Sequence, residues 1–242
     1  MTRPLLSALT LGLTIAAATH AAQASAWSYQ GDTGPDRWGD LEAAYETCKT
    51  GLMQSPIDLS QANTVADVPV SVDYGTVPLS VRNLGKTIQA DFEPGNYLTT
   101  SGEVFGLAQV HFHTPSEHTF GGATLPLVAH FVHVDDGGAL AVLGVLFEEG
   151  EANPELQKIV DAASTAPAGV SIDLTALVPE DLESFRYMGS LTTPPCSEGV
   201  NWHVVETPLS ASAEQIDAFE SLMGMNARPV LPVNGRLVLA PE

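Results

Sequence analysis

Six of the seven histidines lie beyond residue 100, and five of them (His111, His113, His118, His130 and His133) crowd into 23 positions. In Gln109-Val110-His111-Phe112-His113 two imidazoles stand two residues apart on a stretch that reads as a strand. The period of two turns both rings to one face and Val110 with Phe112 to the other, which suits two ligands of one cation. In Val128-Ala129-His130-Phe131-Val132-His133, alternation puts His130 on the face of Val132 and His133 on the opposite one. A neighbouring antiparallel strand then brings His130 beside the first pair. Three neutral imidazoles with a fourth position open is the arrangement of catalytic zinc. His118, past a strand break at Pro115, and His133 read as hydrogen-bonded structural residues.

Two other readings stay open on residues alone. His111-x-His113-x3-Glu117 fits the ligand spacing of a cupin-like metal oxygenase, with Glu117 on the metal. Against it, Pro115 interrupts the strand and Gly189-Ser190-Leu191-Thr192-Thr193-Pro194-Pro195 goes unexplained. A binding or structural protein without catalysis is the third reading.

The elements that must position these residues are short. Seventeen prolines and 21 glycines punctuate the chain. Residues 68–74 and 87–92 alternate as strands, and the apolar run 139–147 suits a strand buried on both faces. Helices are expected at 153–163, with Asn153 as cap and Pro154 at the first turn, and at 212–223, capped by Ser212. The double proline 194–195 belongs in a loop or at an edge, since neither residue donates a backbone hydrogen bond. The expected fold is mostly β: a single domain on a large twisted, mainly antiparallel sheet with a few short peripheral helices.

Charge narrows the partners. Twenty-nine acidic residues against nine basic give a formal net charge of -20. Such a chain repels phosphate backbones and anionic bilayers, so nucleic-acid binding is not expected. At the N-terminus, Arg3, the apolar run 5–18 and the small-x-small sites Ala22-Gln23-Ala24 and Ala24-Ser25-Ala26 form a secretory signal. Residues 1–24 are read as that signal, with cleavage near 24 or 26, and 27–242 as the mature domain. The product is periplasmic or secreted, with no membrane anchor once the signal is removed, and a homodimer is left open. Cys48 and Cys196 form either one disulfide or two separate thiols, and export favours the disulfide.

Taken together, these pieces resemble the alpha-class carbonic anhydrases. The matching stretches are Trp27-Ser28-Tyr29, Gln54-Ser55-Pro56-Ile57-Asp58, 109–113, 116–119, 129–133, 140–144, 189–195, Trp202 and Asn234-Gly235-Arg236, in the family's order. The resemblance implies reversible hydration of carbon dioxide to bicarbonate, by attack of zinc-bound hydroxide, with His111, His113 and His130 holding Zn2+. It makes Thr192 and Glu117 the pair that orients the hydroxide. Val132, Val142, Leu191, Thr192, Thr193 and Trp202 become the substrate-binding set. Gln109 and the backbone of Asn234 would orient the first two ligands, and Tyr29 would join the water network. Cys48 and Cys196 look like the disulfide of exported members. Two positions depart from the family pattern. Lys86 stands where a proton-shuttle histidine is usual, and Val128 where a glutamate usually bonds the third ligand.

Overall fold

The computed structural model describes residues 27–165 and 168–242; the expected signal, 1–24, lies outside the described residues. Twelve strands join in one sheet, and Thr76–Pro78 pairs with Ser171–Asp173 in a small second one. Most pairings in the large sheet are antiparallel. The exceptions are Glu198–Val205 and Leu209–Ala211, both parallel to Leu140–Glu149, and Thr64–Val65, parallel to Val238–Ala240. The mostly-β expectation therefore holds, with a mixed sheet.

The short strands stop where the backbone is diverted. The stretch expected at 68–74 narrows to Val70–Asp73, which excludes Pro69, a residue with no N–H for the ladder. The stretch expected at 87–92 narrows to Ile88–Asp91, because the Phe92 N–H turns to the Ala108 carbonyl at 3.1 Å. The apolar run becomes Leu140–Glu149, buried from Ala141 to Phe147, with partner strands on both sides. The helix Pro154–Thr165 is capped by Asn153 Oδ1, which accepts from the N–H groups of Glu155 and Leu156. The helix Ala213–Met223 starts on a capping box between Ser212 and Gln215.

Each face of the sheet carries its own apolar cluster. Val110, Phe112, Phe131, Leu143 and Val145 pack on one side with Leu156, Ile159 and Phe219 of the two helices. Val128, Val132, Val142, Tyr187, Trp202 and Val204 pack on the other. The Glu103–His113 strand gives its apolar residues to the first cluster along its whole length, because its register with Leu127–Val134 shifts between Leu107 and Gln109. This bulge reverses the alternation. Phe105 and Leu107 join Val110 and Phe112 on the first side, while the odd-numbered residues from Gln109 onward face the second.

Candidate metal centre

Cross-strand register assembles the second face. His111 pairs with His130, His113 with Val128 and Gln109 with Val132. The Gln109 row continues through Val142 to Trp202 and Tyr187. The ring centroids of His111, His113 and His130 lie 4.7–5.2 Å apart. One nitrogen from each falls within 4.8 Å of the others, and among the described residues no other group of three or more such side chains converges in this way. His113 and His130 are buried and His111 is partly exposed, so the cluster opens toward solvent on the His111 side.

The unused nitrogen of each ring decides which one is offered. His111 Nδ1–H donates to Gln109 Oε1 at 2.9 Å, and His113 Nδ1–H donates to the Asn226 carbonyl at 2.8 Å. Both rings therefore present Nε2. His130 presents Nδ1, which lies 3.9 Å from Glu117 Oε2, the same oxygen that His113 Nε2 approaches at 3.5 Å. Burial, and then neighbouring imidazole charge, hold His111 and His130 well below the ordinary histidine pKa. They are neutral imidazoles, the state that ligates a metal. His113 Nε2, buried and without a hydrogen-bond partner, is a ligand atom in want of an electrophile. The donor set fits zinc.

Glu117 sits just past the Glu103–His113 strand and is fully buried. Burial pushes its carboxyl upward; His113, the Arg228 N–H on Oε1 (2.9 Å) and the Thr192 hydroxyl pull it down. The loop carrying Thr192 is tied from several directions. Ser55 and Ser190 exchange backbone-to-hydroxyl bonds of 2.9 and 3.0 Å. Trp202 Nε1 donates to the Ser190 carbonyl at 2.9 Å, and Gln54 Nε2 to the Cys196 carbonyl at 3.0 Å. The Cys48–Cys196 disulfide is formed, with Cα atoms 5.0 Å apart. Gly189 has no room for a side chain: a Cβ there would meet the Trp202 ring at 2.8 Å. Val132, Val142, Trp202 and the partly buried Leu191 form one apolar cluster beside the histidines. Thr193 accepts the Cys196 N–H at 2.8 Å in the turn that follows.

One expected contact is corrected. The carbonyl that holds His113 belongs to Asn226, not Asn234; Asn234 instead donates to the Leu52 carbonyl at 3.1 Å, in an exposed turn. Asn226 follows the Ala213–Met223 helix, which packs behind the ligand strand, whereas 234–236 lies near the chain's end beside Leu52. Asn226 also receives the Thr114 N–H and donates to the carbonyls of Lys86 and Phe112. Arg228 was likewise missed. Its buried guanidinium bonds Gln54 Oε1 and the carbonyls of Ser55 and Cys48 at 2.8–3.1 Å. One of only nine basic residues, followed by proline in an acidic chain, was the signal available.

At the rim, Lys86 Nζ lies 4.0 Å over the Trp27 ring, and partial burial lowers its pKa. Tyr29 packs edge-on against Trp27 and Trp38, and burial raises its pKa. His118 Nε2 and His133 Nε2 each meet a tyrosine hydroxyl at 2.7 Å, of Tyr187 and Tyr74 respectively, and neither ring enters the convergent group.

Residues 33–242 match the family model for eukaryotic-type carbonic anhydrase. The chain belongs to this family. A carbonic anhydrase of Pectobacterium carotovorum is 41% identical over 239 residues, covering 96% of this chain and 97% of its own. The alpha-carbonic anhydrase of Thermovibrio ammonificans, solved with sulfanilamide, superposes with a TM-score of 0.82 at 44% identity, covering 88% of this chain and 98% of its own. Dioscorin, solved with ascorbate, superposes at 0.80 with 30% identity, covering 89% and 97%. Membership sets the cupin-like reading aside: the family is one of zinc enzymes that hydrate carbon dioxide. No helix among the described residues is long and apolar enough to cross a membrane.

Proposed function

We propose that this chain interconverts carbon dioxide and bicarbonate with Zn2+ held by His111 Nε2, His113 Nε2 and His130 Nδ1. The observation that carries the reading is that these three nitrogens converge beside the buried Glu117–Thr192 pair. When bound, zinc supplies Lewis-acid chemistry that draws hydroxide from water near neutral pH, as is established for carbonic anhydrases.

The protein's share is orientation and exclusion. Glu117 accepts the Thr192 hydroxyl hydrogen, which would leave the Thr192 oxygen free to accept a hydrogen bond from the reacting group. Thr192 would in this way orient the nucleophile that the metal supplies and leave its lone pair facing the substrate. Carbon dioxide, apolar and neutral, lies against Val132, Val142, Leu191 and Trp202, with Thr193 at the edge of the pocket, and needs no charged clamp. Gln109 and the Asn226 carbonyl fix two ligand rings.

Proton export is the slow step. Lys86 replaces an imidazole, and its ammonium rests on the Trp27 face, where transfer near pH 7 is poorly matched to an amine. Tyr29 joins the water path between Glu117 and the rim. Val128 gives His130 no carboxylate partner, so zinc leaves faster than with glutamate there. Residues 1–24 direct export to the periplasm or beyond, where an oxidising compartment preserves Cys48–Cys196.

Stopped-flow hydration by the zinc-loaded chain, abolished by chelator and restored by zinc, tests the activity; inert zinc-loaded protein defeats it. Turnover should rise with imidazole buffer, and turnover flat across buffer concentrations would remove the proton-export claim. Zinc release at the same rate from wild type and Val128→Glu would retire the claim for Val128.

A further inference from the structure

Among the described residues, a few buried side-chain atoms lack a hydrogen-bond partner, and four of them surround the metal centre: His113 Nε2, Glu117 Oε2, His130 Nε2 and His118 Nδ1. The first two face the convergent point. The other two have no place in the chemistry described so far. His130 turns Nδ1 inward, so its Nε2 points away from the metal site. His118 spends its own Nε2 on Tyr187. The two rings stand 6.3 Å apart between centroids, too far for a direct bond between them. Each also lies 4.9 Å from the same Trp202 indole. Val128, on the face of His130 and fully buried, adds only methyl groups to that surrounding.

Proton accounting makes the pair complementary. A neutral His130 that offers Nδ1 to a metal must carry its hydrogen on Nε2, which makes Nε2 a buried donor. His118 can answer it if its hydrogen is on Nε2. That hydrogen goes to the Tyr187 oxygen at 2.7 Å, and the Tyr187 hydroxyl in turn donates to Ser55 Oγ at 2.8 Å. His118 Nδ1 is then a bare acceptor. A donor and an acceptor, each otherwise buried without a partner, share one apolar enclosure.

We propose that His118 positions the third metal ligand through one buried water, which accepts from His130 Nε2–H and donates to His118 Nδ1. The link rests on the zinc reading above and deepens it. Through Tyr187 and Ser55 it continues to Ser190, two residues before Thr192, so the ligand and the threonine loop share one polar chain. His118 is a positioning residue, acting only through His130.

The test begins with metal analysis of the full-length mature protein, where one zinc per wild-type chain is expected. His118→Asn keeps an acceptor near the Nδ1 position, whereas His118→Gln keeps only a group able to reach Tyr187. Zinc release to excess chelator should accelerate about 10–100-fold in His118→Gln and stay within a few-fold of wild type in His118→Asn. Equal rates in all three proteins, or equal acceleration in both variants, overturn the link. Nitrogen-15 spectra of zinc-loaded, histidine-labelled wild type need no substitution. They should show His118 protonated on Nε2 and hydrogen-bonded as an acceptor on Nδ1; the opposite tautomer overturns the link. Wild type that retains no zinc fails the underlying zinc reading, whereas zinc-loaded wild type with the wrong tautomer fails this link alone.

Discussion

The two faces of the sheet use buried histidine for opposite purposes. On one, His133 bonds Tyr74 and the Ala141 carbonyl, and His203 bonds Thr100 and Ser184 at 3.0 and 3.3 Å. On the other, His111 and His113 bond through one nitrogen and leave the second turned inward. His113 is as buried as His133 and His203, and burial lowers the pKa of His111 as it lowers theirs. What separates His111 and His113 from His133 and His203 is whether the second nitrogen has been given a protein partner. The protein partners supplied to Nδ1 on one face select the reactive atom, and those supplied to both nitrogens on the other remove it.

The sharpest way to break this contrast is to exchange its consequences. His111→Ala should lose stoichiometric zinc and drop hydration to background, whereas His203→Ala should keep full zinc occupancy by elemental analysis. A His203 variant that lost zinc as His111→Ala does would erase the distinction. Next in size is Asn226→Asp against Asn234→Ala. The first disturbs the donors to Phe112 and Lys86 beside His113 and should weaken zinc retention about 10-fold or more; the second, exposed, should leave it unchanged.

The bonded pair should instead govern stability. Burial brings His133 and His203 down to about 4 from 6.5. Above pH 6.5 both folded and unfolded forms are neutral and these rings add no pH dependence. Between 6.5 and about 4 the unfolded chain takes up protons that the native one refuses, so stability falls with falling pH, by about 1 kcal/mol per unit for each ring. Urea titrations at pH 7 and 5, with zinc saturating, should show a shallower pH slope in His203→Gln than in wild type. An identical slope would count against the assigned shift. The smallest effect is expected at the rim: Lys86→Ala should change buffered hydration little, and Lys86→His should raise it a few-fold when buffer is scarce, as stopped-flow traces would show.

Much of the ligand face was legible beforehand because strand parity is local. His111 and His113 share a side whatever the rest of the chain does, and His130 needed only an antiparallel neighbour. The helix caps at Asn153 and Ser212 were local too, and both formed. Contacts that jump across the chain were not readable in this way. Asn226 lies 113 residues from the ring it holds, and a side chain's backbone neighbour leaves no pattern in composition, so the choice fell on the wrong asparagine. Arg228 escaped for the same reason. The pairing of Cys48 with Cys196 was available because two cysteines allow one intramolecular bond. Val128 was visible as an oddity, but the unpaired nitrogens that give it meaning appear only in three dimensions.

The extra residue at 107–109 carries an evolutionary consequence. Upstream of it the strand is written in one frame and downstream in another, yet both halves fill the same core, Phe105 and Leu107 beside Val110 and Phe112. Point changes on either half are local affairs. Excising one residue there would rotate every upstream side chain relative to the ligands, exposing Phe105 and Leu107 or unseating the histidines. Lineages of this protein can therefore drift in sequence along that strand far more freely than they can drift in its length.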